Sequence, residues 1–65
     1  MKPCIEYAIE NCMWDFKNYG YITNIQSDFL KSEKSDCTDE EFWLYVRNLN
    51  IPGFEDAIIN SWEKK

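Results

Sequence analysis

Histidine is missing from this 65-residue chain. With it go the commonest general base and the commonest neutral metal ligand at neutral pH. Glycine and proline are scarce, at two each, so little of the chain is spent on loops. No apolar run approaches the roughly 18 residues that a bilayer span requires. The N-terminus meets a carboxylate at Glu6 with no apolar signal-peptide stretch before it. These two absences predict a cytoplasmic protein with no membrane contact.

Cysteine occurs three times, an odd number that argues against a disulfide framework. Cys4 and Cys12 fall on one predicted helix, where eight residues of 1.5 Å rise set them about 12 Å apart, beyond disulfide reach. With no CxxC pair and no histidine, a zinc site lacks its ligands. The cysteines are expected to be small packing residues, and no metal or cofactor is expected. Basic residues are absent where acids gather. Between residues 36 and 56 stand Asp36, Asp39, Glu40, Glu41, Glu55 and Asp56, against Arg47 alone. The formal charge of −5 disfavours direct nucleic-acid binding, whose affinity comes from basic groups on phosphates.

What the chain does have is rings: three tryptophans, four tyrosines and four phenylalanines. A domain this short buries a modest share of its surface and is marginal without help. Aromatic side chains that each bury roughly 150–250 Å² supply that help. The spacing of apolar residues is helical throughout. Over residues 3–18, Cys4, Ala8, Ile9, Cys12, Met13, Phe16 and Tyr19 fall on one broad face, with Pro3 suited to the first turn and Gly20 to the stop. Tyr7 and Trp14 lie on the opposite side, flanked by Glu6, Glu10, Asn11, Lys17 and Asn18. Either a later element covers them or they form a surface.

Residues 21–24 alternate as a short strand would, but Thr23 with Gln26 has the form of a capping box. The second reading is preferred. It predicts a helix over residues 24–32 with Ile22, Ile25 and Phe29 together, then a polar loop over 32–37. Thr38 and Glu41 form a further capping box, and Asp39, Glu40 and Glu41 favour the positive end of the helix dipole. In that third helix Phe42, Tyr45, Val46 and Leu49 share a face. Trp43 and Leu44 lie about 100° and 200° away, so it is either the central helix or one with an exposed interaction face. Pro52 and Gly53 break the chain. A last helix from Phe54 aligns Ala57, Ile58, Ser61 and Trp62, with Glu55 and Asp56 in its first turn and Lys64 and Lys65 at its end. The expected fold is an all-α three- to four-helix bundle with a single core, one helical domain over residues 1–65.

Chemistry for catalysis is lacking. A nucleophile needs an adjacent base; the neighbouring carboxylates Glu40–Glu41 and Glu55–Asp56 diverge around their helices and form no acid/base pair. Asp36, Thr38 and Glu40 lack the glycine that a calcium loop places at its sixth position. No enzyme is expected. The leading expectation is a protein-binding module that regulates or inhibits a larger protein through its surplus aromatic and apolar positions, Tyr7, Trp14, Trp43 and Leu44. In a sharper form, Asp36, Asp39, Glu40 and Glu41 present carboxylates where a nucleic-acid-processing partner with a basic surface expects phosphates. A methionine start and an acidic composition rich in Ile, Asn and Lys associate the chain with phage proteins. The alternatives are a homo-oligomer, such as a dimer, whose spare apolar faces meet, and a helix-turn-helix DNA reader. The Asp-Glu-Glu opening of the third helix speaks against the last.

Overall fold

The computed structural model describes residues 3–63, in which four helices follow one another: α1 (Pro3–Tyr19), α2 (Asn24–Lys34), α3 (Asp39–Asn48) and α4 (Phe54–Glu63). The expected all-α bundle is therefore present as a four-helix arrangement, and no strand occurs among the described residues. Residues 21–24 resolve as the approach to a helix. The expected positions of Lys64 and Lys65, and the opening Met1 and Lys2, lie outside the described residues.

Helices α1 and α2 run antiparallel. Asp15 of α1 reaches Thr23 at the start of α2, Cys12 donates to the Gln26 carbonyl at 3.6 Å, and Tyr7 meets Phe29 edge-on. Helix α4 touches all three others. Phe54 packs on Phe16 of α1 at 5.8 Å between centroids. The Trp62 indole donates to the Ser27 carbonyl of α2 at 3.0 Å, beside a 2.8 Å hydroxyl contact between Ser27 and Ser61. On α3, Phe42 packs on Trp62. The central helix is thus α4, and α3 is the alternative foreseen for it, a helix with an exposed side. Ile5, Ala8, Ile9, Cys12, Ile22, Leu30, Phe42, Val46, Phe54 and Ile58 make one buried cluster drawn from all four helices and the α1–α2 turn.

The connections follow local chemistry. Gly20 takes φ +81° and its N–H closes on the Phe16 carbonyl at 2.9 Å, the left-handed C-terminal turn that costs glycine least. Asn50 and Gly53 also adopt positive φ, and asparagine is among the few other residues that tolerate it. Thr38 caps α3 as expected, its hydroxyl accepting from the Glu41 N–H at 3.2 Å.

Several expectations are corrected. Thr23 precedes α2, but its hydroxyl makes no cap bond within that helix; it donates to Asp15 at 2.6 Å instead. A cap would need the hydroxyl to accept from a first-turn N–H; here the side chain is turned toward α1, where it donates to the carboxylate. The polar stretch expected as a loop from residue 32 stays helical to Lys34, since Lys31 and Lys34 suit the negative end of the dipole. Ile25 is 80% exposed rather than packed with Ile22 and Phe29. Ile22 lies before the helix and does not share its phase, and α2 turns Ser27 and Leu30 inward. Cys4 is exposed although Ile5 beside it is fully buried: the covered face of α1 is centred on Ile5, Ala8, Ile9 and Cys12, and Cys4 falls at its edge. Tyr19, expected on the core face, is more than half exposed where α1 ends.

The three cysteines are free. Burial, assisted by the Asp15 charge, pushes the Cys12 thiol up to about 12 from an ordinary 9.0. The folded chain then holds this proton while the unfolded chain releases it near 9, so the group's stabilisation is complete below 9 and lost as pH rises toward 12. The unfolding free energy from urea melts is expected to fall progressively above pH 9, at up to about 1.4 kcal/mol per pH unit from this thiol. Cys12→Ala should flatten that fall; an unchanged slope in the variant would remove Cys12 as its source.

Candidate protein-binding surface

Among the described residues, six large apolar side chains remain more than half exposed: Tyr7, Trp14, Tyr19, Tyr21, Ile25 and Leu44. Three of them touch one another. The Trp14 ring meets Tyr19 edge-on at 5.7 Å, and Tyr19 lies against Tyr21 at 5.8 Å. Edge and tilted contacts at these separations are favourable arrangements for aromatic pairs. The result is a connected ladder of rings running from the last turns of α1 into the α1–α2 turn. Gly20 makes it possible, because its positive φ reverses the chain between the two tyrosines. Asn18 fixes the helix backbone beneath, donating its side-chain amide to the Trp14 carbonyl at 2.8 Å.

The ladder extends along the α1–α2 face. Tyr7 stands two turns up α1 from Trp14 and keeps most of its ring open although Phe29 lies 6.3 Å away. Ile25 sits one turn before Phe29 on the same side of α2. Of the residues singled out from sequence, Tyr7 and Trp14 therefore share one exposed face. Leu44 is exposed on α3, outside the ladder.

Trp43 departs from expectation. It packs between elements, 4.8 Å from Phe42 and 5.9 Å from Trp62, and is partly buried against the core. The indole of α4 covers the flank that α3 alone would leave open.

The acids are also placed in ways the sequence did not show. Asp36, Asp39, Glu40 and Glu41 are exposed around the start of α3, but Asp39 pairs with Lys34 and Glu41 takes part in the Thr38 cap. Lys34 in turn lies 5.6 Å over the Phe42 ring. Burial and the nearby Glu41 charge raise the Cys37 thiol above its ordinary value. Glu55 is held by Arg47 through two contacts, at 3.3 and 3.2 Å. Arg47 is eight residues along α3 from Asp39, about 12 Å by helix rise. The two acidic groups therefore occupy opposite ends of α3 and do not merge into one array. Burial raises the Tyr45 hydroxyl, with Glu6 and then Glu10 adding to the effect, which places this residue of α3 toward the acids of α1.

A groove of about 730 Å³ opens where the α1–α2 turn faces α4. Phe16, Ile22 and Ala57 supply apolar lining, while Tyr21, Asn24, Asp56 and Asn60 supply aromatic and polar groups. Tyr21 belongs both to the ladder and to this groove. Sequence reasoning missed Tyr19, Tyr21 and the groove. The only available signal was the Tyr-Gly-Tyr run, in which a helix-ending glycine separates two rings.

Among the described residues no cluster of three or more His, Cys, Asp or Glu is placed to hold a metal ion, and no helix is long and apolar enough to cross a membrane. No family model matches the chain, and neither does any curated protein or solved structure.

Proposed function

We propose that this chain is a non-enzymatic protein-binding module that regulates a larger protein by occupying part of its surface. The observation that carries the reading is the ladder Trp14–Tyr19–Tyr21, in which the Tyr19 ring contacts both others and each ring is more than half open to solvent. Tryptophan and tyrosine are the residue types that most often anchor interfaces. Rings already braced on one another lose little further freedom on docking, so the surface is organised before the partner arrives. Tyr7 and Ile25 widen it along α1 and α2.

Charge selects the kind of partner. At a formal charge of −5, two copies of the chain repel as they approach, whereas a partner with a basic surface is drawn in. The reading therefore commits to a different, basic protein over a second copy. The test compares immobilised wild-type chain with Trp14→Ala, both checked for native helical content, as baits in native lysate followed by quantitative mass spectrometry. At least one protein should be retained by the wild type and depleted about tenfold or more from the variant, with retention weakening as salt rises. Identical captured sets would overturn the reading. So would a wild-type chain that sediments as a dimer across a tenfold concentration range and retains nothing that depends on Trp14.

A further inference from the structure

We infer that the groove between the α1–α2 turn and α4 receives an arginine side chain of the basic partner. The inference rests on the binding role proposed above and identifies what that partner inserts beside the ring ladder.

The first argument is electrostatic. Among the described residues, Asp56 is the only charged one lining the groove, and its carboxylate has no hydrogen bond or ion pair there. Its neighbour Glu55 is engaged by Arg47 in a two-pronged contact. Asp56 is therefore a carboxylate with no counter-charge paired to it among the described residues, on the wall of a cavity. Position in the first turn of α4 accounts for an acid there; it does not account for the cavity beside it.

The second argument is shape and surface. Ile22 is buried, and Phe16 and Ala57 are partly buried; together they offer apolar surface to a long aliphatic stem. Tyr21 presents an open ring, on which a planar guanidinium stacks favourably. The side-chain amides of Asn24 and Asn60 have no hydrogen-bond partner among the described residues, so their carbonyls are free to accept. A guanidinium brings five donors in a fixed fork and can serve a carboxylate and flanking carbonyls while its face lies on a ring. A lysine ammonium is a compact, strongly hydrated point charge that makes poorer use of the ring. The arrangement also joins the two parts of the surface, since Tyr21 touches both the inserted side chain and, through Tyr19, the apolar contact at Trp14.

The test uses the whole chain, isotope-labelled and followed by backbone amide shifts. N-acetyl-arginine amide is titrated in against N-acetyl-citrulline amide, which has nearly the same shape and no charge, and against inorganic phosphate. Saturable shifts are expected over residues 20–24 and 53–61 with the arginine compound. They should be about tenfold weaker with citrulline and with the Asp56→Asn and Tyr21→Ala variants. Both substitutions alter exposed groups, so each variant should keep its native spectrum and melting temperature. Equal shifts from citrulline, shifts centred on residues 36–41, or shifts from phosphate with none from arginine would each overturn the inference. Asp56→Asn as bait separates the two proposals. If Trp14→Ala loses the partner while Asp56→Asn retains it undiminished, the ring surface stands and the arginine site falls. If arginine fills the groove but Trp14→Ala captures the same proteins as the wild type, the reverse holds.

Discussion

Phe54→Ala is expected to abolish most of the fold's stability, so that helical signal disappears with little or no denaturant. Trp14→Ala, a larger truncation, should leave the unfolding free energy within about 0.5 kcal/mol of the parent. Phe54 is completely buried at the first residue of α4, the helix that touches all the others, and its ring lies on Phe16 of α1. Removing a buried phenylalanine ring costs about 3–5 kcal/mol, from lost transfer energy and the cavity left behind. A domain of this length has about 3–10 kcal/mol in total, so one ring is a large fraction of it. Collapse of neighbours into the cavity is hindered, because Gly53 with φ +82° and the turn before it fix where α4 begins. Phe54→Leu, which keeps most of the volume, should recover more than half of the loss. Urea and thermal melts of the three variants check this. A Phe54→Ala midpoint close to that of Trp14→Ala would mean that α4 does not organise the core.

The contrast between those two rings shows what one-dimensional periodicity resolves and what it leaves open. That Trp14 lies off the core face was legible because it sits opposite a long apolar stripe on a long helix; whether a later element covers it was not, and the fold leaves it exposed. The Thr38 cap was legible because both partners lie within one turn, a purely local interaction. Thr23 looked equally like a cap, yet its hydroxyl turns to Asp15, and no local rule foresees a carboxylate eight residues upstream orienting that side chain away from the first-turn N–H groups. Trp43 was misplaced for a related reason. Its angle on α3 is clear of the stripe, but Trp62 arrives from α4 to cover it. Tyr19 carried the opposite error, having the right angle for the core at a point where the helix had run past its neighbours.

The ring ladder and the groove lay beyond sequence reading because both depend on chain reversal at Gly20. A helical wheel assigns Tyr19 an angle and has no angle for Tyr21, which stands outside any helix. Only the positive φ of the glycine brings the two tyrosines side by side and turns Tyr21 toward α4. The acids were legible as helix-terminal charges. Their pairing was not, since Lys34 with Asp39 and Arg47 with Glu55 each join one helix to the next. Asp56, next to the paired Glu55, has no such partner among the described residues and lines the groove, which gives it the role argued there.

Asp15→Ala is the second substitution expected to act strongly, and its size reveals what holds the α1–α2 turn. Asp15 is nearly fully buried yet carries a carboxylate, tolerable because Thr23 donates to the same oxygen twice, from its hydroxyl at 2.6 Å and its backbone N–H at 3.1 Å. Hydrogen bonds to a charged group contribute about 1.5–3 kcal/mol each. Asp15→Ala removes both and strands a backbone N–H, for an expected loss of about 2–4 kcal/mol. Thr23→Ala removes only the hydroxyl bond and should cost about half as much. In the double-mutant cycle, the coupling energy should match the hydroxyl bond alone, about 1–2 kcal/mol. The remainder of the Asp15→Ala loss should survive in the Thr23→Ala background, because the backbone N–H is still there to be orphaned. Equal losses from the two single variants, with full coupling between them, would show that the hydroxyl carries the whole interaction. Independent, additive losses would show that the hydroxyl bond does not form in solution, and the Asp15 contribution to the turn that positions Tyr19 and Tyr21 would then rest on the backbone N–H alone.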